Sequence, residues 1–164
     1  MKQPTYSDFK FCKTSEKKLL KILKHFGLSK DFEDDFHCTI VYSKAPIDFS
    51  KHEKTLDKIV HIKKFGHFDT PNGKNLHVEL ECKICEKQHK LALKAGASYD
   101  YDKYVPHITL CYDCKDFDYV DQGKDFIGET LRIIKQDVSP LNEDWLEDNK
   151  KEDKEKKDDA TKLK

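Results

Sequence analysis

Pro106-His107-Ile108-Thr109-Leu110 decides how this chain reads, because His37-Cys38-Thr39-Ile40 repeats its pattern earlier in the sequence. Both are His-x-Thr-apolar, and both lie in short runs rich in β-branched residues, which favour strands. Successive side chains of a strand point to opposite faces. His37 and Thr39 therefore share one face, as do His107 and Thr109. Cys38, Ile40, Ile108 and Leu110 face the other way. Two such strands side by side present two imidazoles and two hydroxyls on one polar surface.

The segments around the motifs supply helices and further strands. Residues 1–14 read as a polar lead-in carrying Tyr6, Phe9 and Phe11. Thr14 or Ser15 caps a helix over about 16–26, with Leu19, Leu20, Ile22, Leu23 and Phe26 on one stripe and Gly27 at its end. An acidic connector over 31–35 leads into the first motif strand, 36–43, which Ala45-Pro46 breaks. An extended segment over 56–68 meets the hairpin turn Pro71-Asn72-Gly73-Lys74 and a strand over 75–83 built on Leu76, Val78 and Leu80. A second helix covers about 84–95. The aromatic-acidic loop Tyr99 to Tyr104 then enters the second motif strand, 105–112. Leu131, Ile133 and Ile134 carry a last strand over 128–137.

This order predicts an α+β domain over residues 1–145: two small sheet lobes, helices outside, and a cleft between. A single mixed sheet is the alternative. Residues 146–164 are almost entirely Lys, Asp and Glu. They lack the apolar groups to offset their own ordering entropy, so a disordered tail is expected, or else a helix held by ion pairs.

Charged residues make up 38% of the chain, yet Lys+Arg and Asp+Glu balance at 31 each. A neutral chain has no global field for long nucleic acid, so any anion site must be local. No apolar run approaches the roughly 18 residues of a membrane helix. Met1 to Lys10 lacks a signal peptide's apolar stretch, which points to the cytoplasm and to no membrane partner.

Cys82-x-x-Cys85 and Cys111-x-x-Cys114 resemble two halves of a zinc site. A parallel strand-helix-strand crossover would bring both pairs to one sheet edge. Against this, no knuckle glycine follows either pair, and Cys82 and Cys85 straddle a strand-to-helix junction. Unligated reduced thiols are the simpler expectation. A zinc-stabilised binding module stays open as a reading of another class.

The paired motifs carry the chemistry. An imidazole titrates near pH ~6.5, so a neutral histidine can take a proton from an attacking hydroxyl while a charged partner protonates the leaving oxygen. Each role supplies roughly 10²–10⁴ in rate. Threonine hydroxyls two residues away can donate to phosphoryl oxygens as charge builds on them. His37, Thr39, His107 and Thr109 are thus the candidate catalytic groups of a phosphodiesterase that needs no metal or other cofactor. Of the other histidines, His25 falls on a helix; His52, His61, His67, His77 and His89 have no partner at a telling spacing. His61 and His77 fall on polar strand faces near the cleft. Tyr6, Phe65, Phe68, Tyr101, Tyr104 and Trp145 are available to stack on nucleobases, at roughly 1–3 kcal/mol per base.

His37-Cys38-Thr39-Ile40 and His107-Ile108-Thr109-Leu110 resemble the signature of the 2H phosphoesterase superfamily. That resemblance implies a two-lobed, LigT-like fold, with antiparallel or mixed sheets flanking a central cleft, and metal-independent chemistry. More narrowly, residues 36–43 and the run from Ala95 through Tyr101 into Tyr104-Val105-Pro106-His107 resemble the phage anti-CBASS nucleases, which degrade the cyclic oligonucleotides that activate bacterial CBASS immunity. The likeness spans about residues 6–145. It implies a hydrolase acting on adenine-containing cyclic di- or trinucleotides in the host cytosol through a 2′,3′-cyclic phosphate. It also implies base stacking by Tyr6 and a pocket shaped by Trp145, and it leaves Ser139, Glu129, Asp137 and Glu143 as candidates for a family acidic position. The alternative substrates are RNA 2′,3′-cyclic phosphate ends or 2′–5′-oligoadenylates.

Overall fold

The computed structural model describes residues 2–70, 73–101, 103–114, 121 and 123–141. Six strands and two helices follow one another as β1 (Gln3–Phe11), α1 (Lys13–His25), β2 (His37–Ile47), β3 (Lys54–Thr70), β4 (Gly73–Glu81), α2 (Lys83–Lys94), β5 (His107–Cys114) and β6 (Thr130–Pro140). In space the strands run β1-β2-β5-β4-β3-β6 around a closed barrel. Every pairing is antiparallel.

The two-lobed α+β architecture expected from the sequence, with its mixed-sheet variant, is therefore corrected to one closed antiparallel barrel carrying two short helices. The reason lies in β6. It pairs with β1 from Thr5↔Pro140 to Phe11↔Ile133 and with β3 from Lys54↔Gln136 to His61↔Thr130. One strand thus belongs to both halves and closes them. On the opposite side the two motif strands, β2 and β5, meet at a single residue pair, Cys38↔Ile108.

A helix with its side chains is about 10–12 Å wide, more than a six-stranded barrel can enclose. Both helices consequently pack outside, and strand faces that touch them are outer faces. Leu19, Ile22 and Leu23 of α1, Cys85 and Ala92 of α2, and Phe9, Cys38, Ile40, Ile108 and Ile133 of the strands form one buried cluster. Fully burying such a side chain stabilises the fold by about 1.5–3 kcal/mol. Polar links fix the docking. Ser15 Oγ accepts from the backbone N–H of Arg132 at 2.8 Å, His89 Nδ1 meets the Ile40 carbonyl at 2.8 Å, and Gln136 Nε2 donates to Gln88 Oε1 at 3.3 Å.

Several local expectations shift. Residues 3–11 are a strand with neighbours on both sides rather than a lead-in. Its outer face includes the buried hydroxyls of Thr5 and Ser7, so apolar alternation shows only at Phe9 and Phe11. The first helix starts at Lys13 behind Cys12, and Ser15 is spent on β6 instead of on a cap. Strand β2 runs through Ala45-Pro46, because Pro46 is exposed beside the ladder irregularity between Gln3 and Thr5. The hairpin turn Pro71-Asn72 and the charged tail lie outside the described residues. Among those described, no helix is long and apolar enough to cross a membrane.

Candidate active site

The inner face of the barrel wall carries the motifs. Cys38 and Ile108 are fully buried on the outer side, so their neighbours His37, Thr39, His107 and Thr109 point inward. The Cys38↔Ile108 register sets His37 beside Thr109 and Thr39 beside His107, a crossed arrangement that mixes the two motifs. Rings from separated strands meet inside: Phe68 of β3 lies 5.3 Å from His107 of β5, across β4.

The two motifs are supported alike. His37 Nδ1 lies 3.0 Å from the Asp35 carbonyl, and His107 Nδ1 lies 2.8 Å from the Val105 carbonyl, two residues upstream in each case. A carbonyl only accepts, so each Nδ1 carries a hydrogen and each Nε2 is the ring nitrogen left for proton transfer. Each threonine also has a tyrosine. Tyr6 Oη lies 3.0 Å from Thr39 Oγ1, and Tyr112 is hydrogen-bonded to Thr109. Burial, then the Asp8 carboxylate, hold the Tyr6 phenol well above its ordinary value, so it stays a donor. It donates to Asp8 Oδ2 at 3.1 Å, which Lys10 Nζ also reaches at 2.8 Å.

The surroundings differ. A cavity of about 490 Å³ opens beside His37, with Tyr6, Asp8, Lys10, Asp35 and Ser139 in its wall. His107 instead stands among Phe68, His77 and Glu79. Burial pushes the His107 imidazole below its ordinary value, the Val105 carbonyl and Glu79 oppose that shift, and His37 adds to it.

Of the sequence-predicted contacts, Tyr6 reaches the site: it lines the cavity, and its hydroxyl is engaged with Thr39 and Asp8. Tyr104 sits on the helix side of β2: its ring stacks on His89 at 4.1 Å and its hydroxyl donates to the Thr39 carbonyl at 2.8 Å. Phe65 packs against Phe26 and Phe126, and Tyr101 is exposed. Ser139 lines the cavity, whereas Glu129 and Asp137 pair with Lys18 and Lys135. Trp145 and Glu143 lie outside the described residues.

Asp8, His77 and Glu79 do not stand out from the sequence as a group. Their signal is alternation: Tyr6-x-Asp8-x-Lys10 and His77-x-Glu79 place polar groups on one strand face.

The four paired cysteines do not gather. Because β4 and β5 are antiparallel, not a parallel crossover, Cys82 and Cys85 lie toward the His107 end of β5 and Cys114 sits at the Lys74 end. Cys82 and Cys85 form a disulfide, Cys111 Sγ donates to Asp31 at 3.5 Å, and Cys114 Sγ to the Lys74 carbonyl at 2.9 Å. Among the described residues no cluster of three or more His, Cys, Asp or Glu is arranged to hold a metal ion.

Comparison with known proteins places this chain in a family. The profile described as Anti-CBASS protein Acb1 matches residues 3–148. An Anti-CBASS protein Acb1 of Vibrio phage KVP40 is 28% identical over 149 residues, covering 90% of this chain and 93% of that protein. The protein of that name from Escherichia phage RB16 is 30% identical over 143 residues, 85% of this chain and 81% of the relative. The one from Enterobacteria phage T4 is 25% identical over 120 residues, 71% of this chain and 74% of the relative. With nearly its whole described length matched, the chain belongs to the Anti-CBASS protein Acb1 family.

Proposed function

We propose that this protein opens adenine-containing cyclic di- or trinucleotide immune signals by acid–base cleavage of a 3′–5′ phosphodiester, in the service of phage evasion of CBASS. One observation carries the reading: both motif histidines spend Nδ1 on a backbone carbonyl and keep Nε2 for the interior. Two imidazoles prepared alike on adjoining strands suit a reaction with two proton transfers.

His107 is the base. Its lowered proton affinity keeps it neutral near pH 7, ready to take the proton of a ribose 2′-hydroxyl. The 2′ oxygen attacks the adjacent phosphorus, and the bond from phosphorus to the 5′ oxygen breaks. His37 Nε2 protonates that oxygen, leaving a linear product with a 2′,3′-cyclic phosphate. With roles exchanged, water then opens the cyclic phosphate to a 3′-phosphate. Thr39 and Thr109, whose hydroxyls meet Tyr6 and Tyr112 in the free protein, turn to donate to the phosphoryl oxygens during both steps. Trp145, outside the described residues, stays a candidate pocket contact by resemblance. The two histidines serve both proton transfers without a metal in this 2H-type scheme.

The test is incubation with cyclic di- and triadenylates in EDTA, with product separation. Linear RNA ending in a 2′,3′-cyclic phosphate and 2′–5′-oligoadenylate run in parallel. Ring opening is expected, and it should be lost in His37→Ala and in His107→Ala while both variants stay folded. Intact rings alongside a cleaved linear substrate would move the function to RNA-end or oligoadenylate processing. A folded, fully active single variant would sink the mechanism.

A further inference from the structure

Glu79 stands directly across from His107 in the β4–β5 ladder. Residues so placed have Cβ atoms about 4.5–5.5 Å apart on the same face. Two residues back on that face, the His77 ring is buried, stacks on Phe68 at 4.1 Å and lies 5.3 Å from the His107 ring. Its Nε2 is 3.6 Å from Glu79 Oε2, and neither ring nitrogen has a hydrogen-bond partner among the described residues. Lys64 Nζ approaches the same carboxylate at 3.7 Å from the solvent side. Gly66 gives this cluster its clearance. A Cβ there would stand 2.7 Å from His77 Nε2 and 3.6 Å from Glu79 Oε2, so a larger residue would push the ring toward Phe68 and His107.

We propose that Glu79 is the positioning residue of His107: its carboxylate offsets the charge that His107 gains on taking the nucleophile's proton, while the buried His77 packs beside that pair. This rests on the proposed reading of His107 as the base, and it assigns Glu79 a role that acts through the imidazole rather than on the substrate. The titratable and charged groups facing His107 are Glu79 and His77 on β4 and His37 on β2; His67 and Lys64 of β3 lie beyond them against His77. Burial first, then His107, His67 and Lys64, push His77 down to about 3. It therefore stays neutral through the working range and adds no competing charge. Glu79 is the one carboxylate among these groups, and it works against the burial that lowers His107.

Glu79→Gln and Glu79→Asp test this. The first readout needs no substrate: NMR titration of the ring protons of His107 and His37 in the free protein, assigned through the two alanine variants. Glu79→Gln should lower the His107 midpoint and leave that of His37 in place, and Glu79→Asp should restore it. In the cleavage assay the acid limb of kcat/KM moves to lower pH in Glu79→Gln. There kcat falls roughly tenfold, the factor that one pKa unit carries, with KM near wild type. An unchanged His107 midpoint in folded Glu79→Gln would overturn the proposal, as would equal losses in the Gln and Asp variants. Glu79→Ala repeats the titration should the glutamine variant fail to fold. A wild-type protein that opens no ring would refute the proposed function, while the titration would still decide the role of Glu79.

Discussion

The two motifs are built from the same parts and set in different surroundings. Each histidine binds the carbonyl two residues back, and each threonine has a tyrosine. Yet His37 borders an open cavity with Asp35 and Lys10 in its wall, whereas His107 is flanked by Phe68, His77 and Glu79. Local position accounts for the likeness, since each histidine is the first residue of its strand and reaches back to a carbonyl of the loop before it. The neighbours account for the difference. Burial lowers the proton affinity of the His107 imidazole, which suits the base of the proposed mechanism and would leave His37 to serve the departing oxygen.

The largest effect that could break this comparison comes from the leaving group. A 3′-(p-nitrophenyl) phosphodiester of adenosine keeps the 2′-hydroxyl but expels a phenolate that needs no protonation. On this substrate His37→Ala should recover much of its activity, while His107→Ala stays down by roughly 10²–10⁴. The opposite pattern would exchange the two roles.

A smaller effect separates the tyrosine hydroxyl from its ring. Tyr6→Phe keeps the ring and removes the contacts to Thr39 and Asp8. A drop in kcat of about tenfold with KM little changed is expected, the scale of one lost buried hydrogen bond. Unchanged kcat would return Tyr6 to the base-stacking role.

The smallest effect concerns stability. His77 has a folded-state pKa of about 3 against an unfolded value near ~6.5. Below the unfolded value the unfolded chain binds a proton that the folded chain refuses. Stability is then lost as pH falls from about 6.5 toward 3, with a slope approaching ~1.4 kcal/mol per pH unit from this group. Denaturant melts of His77→Phe should show that slope reduced. An identical pH dependence would mean that His77 is solvated in the folded protein.

Much of the secondary structure was legible. Both helices, the hairpin between β3 and β4 and both motif strands have period or turn signals that need no partner to be recognised. Strand β1 was not, because its outer face buries hydroxyls against the helices and its inner face carries Tyr6, Asp8 and Lys10. With polar residues on both faces, alternation vanishes from the sequence. Closure of the barrel was also hidden. It depends on β6 pairing on both of its edges, and an antiparallel ladder leaves no mark on which partner a strand chooses.

The four catalytic candidates can be read from the residues alone, since a His-x-Thr repeat in a strand places ring and hydroxyl on one face whatever that strand packs against. Tertiary structure alone decided how those groups are joined and how they differ. The Cys38↔Ile108 pair crosses the motifs, and residues from β1, β3 and β4 give each histidine its environment. A side chain's direction follows from local backbone geometry, but its proton affinity is set by burial and by charges brought close from elsewhere in the chain.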